Sequence, residues 1–337
     1  MPELRFNVLT QEWVIIATER AKRPMEYAQS IPAYNLPAYE PKCPFCPGNE
    51  TSTSDEVFRL SHDDGSWQTR VVKNKYPALD EHVQPTRSGD FLQPAMNGFG
   101  IHEVIIDTPR HDKLITMLDL KDVEKLMFTY RERYRACARD ERVKHVIIFK
   151  NNGISAGSSI IHPHSQLIAT PIVSNQTTDR TRITREYYEE HHRCLMCDML
   201  EREIKQAVRI IYQNKYFVSF LPYAALSGFH TWIFPLQHGS TFQNIADEQI
   251  PALAEILSLT LRAHEKLIGR PDYNFVLRSA PIGCDDRLYH WYISIVPRLS
   301  KTAGFEIGSN MYINPSLPEL NAMELRTVVD ILRGRID

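Results

Sequence analysis

The chain has 337 residues, a formal net charge of −2, 43% hydrophobic residues and 24% charged ones. That suits one large domain or two modest ones with packed cores, and it leaves no electrostatic footprint for nucleic acid or an anionic membrane. The chain opens Met1-Pro2-Glu3-Leu4-Arg5 with no apolar signal segment, and no apolar run is long enough to span a bilayer, so the expected location is the cytoplasm.

In chain order, a proline-rich stretch from Pro32 to Pro44 reads as an extended crossing segment and runs into Cys43-Pro-Phe-Cys46. Asn74-Lys75-Tyr76 follows, then a β-like run Glu103-Val104-Ile105-Ile106-Asp107, then His111. Val123, Leu126, Met127, Tyr130 and Tyr134 recur at helical spacing. The apolar run His145-Val146-Ile147-Ile148-Phe149 predicts a strand. It leads into the Gly/Ser-rich loop 151–159, whose backbone N–H groups and hydroxyls suit an anion. The pentad His162-Pro163-His164-Ser165-Gln166 comes next. Pro163 pushes His162 out of the helical region, and an extended segment sets His162, His164 and Gln166 on one face. A histidine beside an anion cradle reads as a nucleophile aimed at phosphorus. Pro171 to Arg185, rich in Thr, Ser and Arg, is the expected junction.

Beyond it the order of elements repeats. Cys194-x-x-Cys197 is followed by Asn214-Lys215-Tyr216, a β-like Thr231–Phe234, His238, an amphipathic stretch from Ile250 to His264, a strand Asn274–Leu277 and His290. The two histidines of each half are separated by nearly the same interval, 51 residues from His111 to His162 and 52 from His238 to His290. Tandem strand–helix–strand units predict an α+β fold with antiparallel sheet and flanking helices. The halves are placed at 1–175 and 185–330. The second has Tyr292 where the first has His164, and its loop Arg278–Cys284 lacks the Gly-x-Ser-Ser character. It therefore reads as a catalytically silent copy.

Six cysteines, four of them in C-x-x-C pairs, point in a reducing compartment to metal or redox chemistry. Two such cysteines with two distant histidines make an S₂N₂ set suited to tetrahedral zinc. The repeat assigns Cys43, Cys46, His111 and His162 to one site and Cys194, Cys197, His238 and His290 to the other: two closed, structural zincs per chain. His191, His192 and His230 compete for the second set but break the repeat. A zinc at His162 also fixes the backbone that carries His164.

With these motifs in hand, the chain resembles the galactose-1-phosphate uridylyltransferase family, a branch of the histidine-triad superfamily. The resemblance covers nearly the whole chain: Trp13-Val14-Ile15-Ile16-Ala17 with Arg20-x-x-Arg23-Pro24, the Cys-Pro-Phe-Cys at 43–46, Asn151-x-Gly153-x-x-x-Gly157-x-Ser159-x-x-His162-Pro163-His164-x-Gln166, and Gly304-Phe305-Glu306-Ile307-Gly308. It implies histidine-triad-like halves and a ping-pong nucleotidyl transfer. A nucleotide sugar gives its nucleoside monophosphate to His164, and a sugar 1-phosphate or another phosphate acceptor takes it. It implies that Gln166 holds the phosphate where hydrolytic relatives have histidine. It also implies that Asn151, Gly157 and Ser159 contact phosphate, that Arg20, Arg23, Asn74 and Tyr76 belong to the nucleotide-binding region, and that the protein is a homodimer. Two departures bear on the substrate. The second metal set has cysteines, as in a shorter two-zinc subgroup. The segment Gly304–Tyr312 lacks the Lys and Tyr-Glu of the family's hexose-recognition segment. Plant proteins similar to this subgroup act as ADP-glucose phosphorylases. The implied activity is thus hexose-1-phosphate uridylyl transfer, with adenylyl transfer of the ADP-glucose or diadenosine polyphosphate phosphorylase type as the alternative.

Overall fold

A computed structural model describes residues 1–22 and 36–336. Chain order is β1 (Glu3–Asn7), β2 (Glu12–Ile16), β3 (Glu56–Ser61), β4 (Trp67–Lys73), the short pair β5 (Arg87–Ser88) and β6 (Ala95–Met96), β7 (Ile101–Ile106), α1 (Leu120–Ala138), β8 (His145–Asn152) and β9 (His164–Thr170). It continues with α2 (Asn175–His191), α3 (Leu195–Gln206), β10 (Ile210–Gln213), β11 (Phe217–Phe220), β12 (Thr231–Pro235), α4 (Ile250–Ile268), β13 (Tyr273–Arg278), β14 (Tyr292–Pro297), α5 (Gly304–Ser309), β15 (Tyr312–Asn314) and α6 (Pro318–Leu332).

Ten strands form one sheet in the order β10-β11-β12-β14-β13-β8-β9-β7-β4-β3. Every neighbouring pair is antiparallel, as the fold class requires. Read outward from its middle, the sheet presents the same sequence of elements on both sides: β8, β9, β7, β4, β3 and β13, β14, β12, β11, β10. The join is β13 on β8, where Tyr273 faces Asn152 and Leu277 faces Ile148.

The period-2 alternation of the strands sorts their side chains between two faces. On one face α1 and α4 pack together, and Leu126, Met127, Tyr130, Leu253 and Leu257 join Leu167, Ala169, Ile293 and Ile295 in the main core. The other face differs between the halves. Over the second half β1, β2 and β15 form a small sheet, and Leu9, Met196 and Leu200 cover Trp232, Phe234 and Tyr292. Over the first half, among the described residues, Cys43, Phe45, Cys46, Trp67, Val72, Val104 and Ile106 form a compact cluster. His164 and Gln166 alternate with the core residues Leu167 and Ala169, so they stand on this less covered face.

The stretch 171–185 does more than connect. From Asn175 on it belongs to α2, which buries Thr177, Arg180, Ile183 and Thr184. These recur three and four residues apart, which gives an otherwise polar helix one inward stripe. Of the proline-rich stretch 32–44, residues 32–35 lie outside the described residues.

Candidate active site and metal clusters

His164 begins β9 and is 7% exposed. Its Nδ1 lies 2.9 Å from the carbonyl oxygen of His162. A carbonyl only accepts, so Nδ1 carries the proton and donates it, leaving the Nε2 lone pair free. Burial lowers the pKa of the ring, with the nearby Lys150 charge as a further lowering influence. The imidazole is therefore neutral near pH 7, the form a nucleophile needs.

The backbone under His164 is held by a buried polar network. Lys150 Nζ donates to the His164 carbonyl at 3.0 Å and to Asp107 Oδ2 at 2.5 Å. Asp107 Oδ1 accepts from Ser165 Oγ at 3.0 Å, and Tyr130 OH and Ser165 Oγ are 2.5 Å apart. Lys150 and Asp107 are 1% and 2% exposed, so the pair lies outside solvent screening. Sequence reasoning missed both. The available signal was a lone lysine in a strand and a lone aspartate ending an apolar run, since charges in such places survive burial only as partners.

Gln166 is placed by a second missed residue, His102 of β7. The Ala78 N–H donates to His102 Nδ1 at 3.1 Å, so His102 Nε2 carries the proton and donates to Gln166 Oε1 at 2.9 Å. The Gln166 amide NH₂ is thereby turned outward as a donor. Asn74 lies beside His102, 3.1 Å from its Nε2, and accepts from the Tyr76 N–H at 2.8 Å. The Tyr76 ring is exposed. Arg20 is exposed on the turn Thr18–Lys22, and Arg23 lies outside the described residues.

The 151–159 loop differs from a simple backbone cradle. The Ser155 N–H donates to Asp272 Oδ2 at 2.7 Å, and the N–H groups of Ala156, Gly157 and Ser158 serve turns within the loop. What it presents is the Asn151 amide and the exposed Ser159. Asn274, a third missed residue, donates to Asn151 Oδ1 at 2.7 Å and to the Ala156 carbonyl at 2.8 Å. That leaves the Asn151 NH₂ as a donor. Gly153 has φ +90°, and a Cβ there would meet the Asp272 carboxylate at 1.8 Å. Gly157, also at φ +90°, closes the turn.

One donor atom from each of Cys43, Cys46, His111 and His162 lies within 4.8 Å of the others, all four residues being buried. The sulfur–Nδ1 separations are 3.6, 3.5 and 3.6 Å. Tetrahedral zinc with bonds of about 2.3 Å to sulfur and 2.0–2.1 Å to nitrogen sets S···N at about 3.5–3.6 Å. His162 Nε2 donates to the Thr108 carbonyl at 2.8 Å, which leaves Nδ1 to the metal. Burial pushes the Cys43 thiol up to about 11, a cost that a cation lifts by taking the thiolate. Phe45 sets its ring edge-on to both His162 and His164.

The second cluster is looser. Cys194, Cys197 and His238 share a 4.8 Å group, while His290 adjoins it through Cys197, whose Sγ is 3.5 Å from His290 Nδ1 and 3.1 Å from His238 Nδ1. His238 Nε2 donates to the Asp286 carbonyl at 2.6 Å, the same tautomer-fixing device. The hydrogen bond from Cys197, with His238 alongside, lowers the Cys194 thiol to about 5 and raises Cys197. The donor chemistry fits a divalent cation in both places. His191 and His192 are exposed, and His230 bonds Ser294 at 2.9 Å, so none of the three joins the cluster. Tyr292, at the position of His164, is buried and stacked 4.7 Å from Phe234.

Fold and site together define a protein that sets one neutral histidine, its Nε2 free, on the same strand as the Gln166 amide. The family described as galactose-1-phosphate uridyl transferase, N-terminal domain, matches residues 1–174. An ADP-glucose phosphorylase of Arabidopsis thaliana is 35% identical over 332 residues, 97% of this chain and 93% of that one. A galactose-1-phosphate uridylyltransferase of Thermotoga maritima is 28% identical over 344 residues, 98% and 100% of the two chains. A crystal structure of an ADP-glucose phosphorylase from Arabidopsis thaliana with bound ADP-glucose superposes with a TM-score of 0.85 at 34% identity, covering 97% of this chain and 98% of that one. The chain belongs to the galactose-1-phosphate uridyl transferase family, and it is a nucleotidyltransferase.

Proposed function

We propose that the protein moves a uridylyl group from UDP-glucose to a hexose 1-phosphate through a covalent uridylyl-His164. In the first step Nε2 of His164 attacks the α-phosphorus, a P–N bond forms, and the P–O bond to glucose 1-phosphate breaks. In the second, a phosphate oxygen of the incoming sugar 1-phosphate attacks the same phosphorus and His164 leaves. The observation that carries this reading is the Nδ1–H···O=C bond to His162, which aims Nε2 outward and stabilises the charge on the ring while the adduct lasts.

The Gln166 and Asn151 amides and Ser159 are assigned to the phosphoryl oxygens, and Gly157 gives them close approach. Gln166 holds the phosphate without offering a proton, so the adduct waits for a sugar phosphate rather than water. Arg20, Arg23, Asn74 and Tyr76 are assigned to the nucleotide. We read residues 1–175 as the catalytic half and 185–330 as the silent copy. Zinc is assigned to both Cys/His clusters, as a closed structural ion that holds His162 in place and, in the second half, ties α3 to β14. A reducing, cytoplasmic setting suits four metal-ligating thiols, and a homodimer follows the family.

A second reading keeps the mechanism and changes the donor. The relative at 35% identity is an ADP-glucose phosphorylase, and the segment Gly304–Tyr312 departs from the hexose-recognition pattern. That reading has ADP-glucose as donor and inorganic phosphate as acceptor. Intact-protein mass spectrometry after incubation with UDP-glucose or ADP-glucose, without acceptor, separates the two. A uridylyl adduct on His164 supports the first and an adenylyl adduct the second. No adduct, with free nucleoside monophosphate accumulating, would sink both.

A further inference from the structure

The second half holds its own image of the reactive pocket, and it is neither empty of charge nor filled by side chains. A cavity of about 60 Å³ lies over β12 and β14, lined by Trp232, Tyr292 and Ser294. One water takes about 10–15 Å³, so the space holds a group of roughly four or five heavy atoms. Strand register makes the correspondence explicit. In the first half Phe149 faces Gln166, which brings Asn151 level with His164. In the second, Arg278 faces Tyr292. Arg278 therefore occupies the place of Asn151, one of the amides beside the reactive histidine.

Among the described residues the lining presents four donor atoms without hydrogen-bond partners: Arg180 Nε and Nη1, Arg278 Nε and Thr10 Oγ1. Arg180 is only 7% exposed. Glu12 is the one carboxylate in the lining, and its Oε1 accepts from Asn310 Nδ2 at 2.9 Å; among the described residues it forms no hydrogen bond to either arginine. The Arg278 Nη1 bond to Gln176 Oε1, at 3.3 Å, is long. Glu12 acts on both guanidinium groups, and Asp179 on Arg180, as counter-charges at longer range, and the Arg180 pKa is raised. Burial, then Arg278 and Arg180, push His230 down to about 3, and burial and the Arg180 charge lower Arg278 itself. A buried and a half-buried guanidinium share one small cavity with a single carboxylate, so a further counter-charge is favoured there, and their planar forks fit tetrahedral oxyanions. Gln176 at the rim is exposed, which gives an entry.

We propose that this cavity is a second anion site, taking a phosphate oxyanion between Arg180 and Arg278, either inorganic phosphate or the phosphoryl head of a phosphate monoester. Tyr292 stands where the nucleophile would be, so the site holds a phosphate and transfers nothing. The proposal does not depend on the role assigned to His164.

Thermal unfolding of the metal-loaded protein is followed against inorganic phosphate, glucose 1-phosphate and, at matched ionic strength, chloride. Wild type should show a saturable rise in Tm with phosphate that chloride does not reproduce. In phosphate-free buffer Arg180→Met should melt no lower than wild type, since it removes a buried charge whose Nε and Nη1 have no hydrogen-bond partner among the described residues. Its apparent phosphate affinity should be about tenfold weaker or worse, the loss of charge-assisted hydrogen bonds. Arg278→Met should repeat both effects, and Arg180→Lys should restore part of the affinity. Because the reactive site also takes phosphate, crystals soaked in arsenate locate the anion directly. An arsenic peak between Arg180 and Arg278 that Arg180→Met abolishes, with a peak at His164 unaffected, supports the proposal. Response to both phosphates assigns the phosphoryl head, and response to inorganic phosphate alone assigns the free ion. No arsenic peak in wild type, or an Arg180→Met variant that melts lower in phosphate-free buffer and keeps the phosphate response, overturns it.

Discussion

The two halves share strand order and helix placement, yet the layer beneath their pivotal residues is built from opposite materials. Under His164 lie Lys150, Asp107 and Ser165, joined by ion pair and hydrogen bonds. The register that pairs Leu277 with Ile293 puts Leu277 where the first half has Lys150 and Ile293 where it has Ser165. Both of these positions are apolar in the second half, and Phe234 stacks on Tyr292. The same topology thus folds with an apolar layer. The buried ion pair is therefore not a requirement of the sheet. It braces the strand end that carries His164, where replacing a buried pair by hydrocarbon would cost no stability in principle but would free the backbone.

The largest expected effect comes from removing the one reactive group the second half lacks. His164→Gly should lower turnover by about 10⁴-fold or more, by steady-state assay, while the metal content measured by elemental analysis stays unchanged. Turnover within a few-fold of wild type would end the nucleophile assignment and erase the functional contrast between the halves.

Importing the second half's residue sharpens the comparison. Lys150→Leu alone should cost about 3–5 kcal/mol in denaturant unfolding, because it strands the Asp107 carboxylate without its cation. Adding Asp107→Asn should recover part of that stability. Activity should not recover with it, since the His164 carbonyl has lost the Lys150 donor. A double variant as active as wild type would show that the network serves the fold alone.

Much of this contrast was legible in the sequence, and the reasons it was legible are local. The C-x-x-C pairs, the His-Pro-His pentad and the α+β repeat are carried by residue type and spacing. Residues reporting on tertiary pairing were not. Lys150 and Asp107 are 43 positions apart and meet only because β8 and β7 flank β9. Asn274 reaches Asn151 across the join between the halves, 123 positions away. Arg180 sat in a stretch read as a junction, where an arginine is an ordinary surface charge. Only the helix that forms there turns it inward. His290 shows the reverse. Spacing places it with Cys194, Cys197 and His238, and in the fold its Nδ1 lies 3.5 Å from Cys197 Sγ with its ring against His238, although it stands outside the tighter group formed by the other three.

Acid should act on the shared core. Burial holds His145 and His264 at about 4, below the ordinary value of about 6.5. The unfolded chain then binds these protons first, so each group's stabilising contribution is present above about pH 6.5 and is lost as pH falls toward 4. These two rings should together contribute up to two protons to the slope with which stability, measured by denaturant unfolding, falls over that window, beside the contribution of the buried His230. His145→Gln and His264→Gln should each flatten it by about one. A flat profile from pH 6.5 to 5 would contradict the burial of these rings.

The smallest expected effect tests whether the second half supports the first. Asn274 belongs to β13, yet its amide fixes Asn151 and the turn at Ala156, and Arg298 Nε donates to its Oδ1 at 2.5 Å. With Asn274→Ala the Asn151 amide loses the bond that sets its orientation. One such hydrogen bond is worth about 1 kcal/mol, so kcat/KM should fall by about three- to tenfold with little change in Tm. Asn274→Asp should do worse at the same fold stability, because it replaces a donor facing Asn151 Oδ1 with an acceptor and adds negative charge beside a loop assigned to phosphate. If both variants match wild type, the phosphate loop is set by its own glycines and by Asp272. If they behave as expected, the second copy is retained for more than its share of the core: it holds the residue that orients the first copy's phosphate contact.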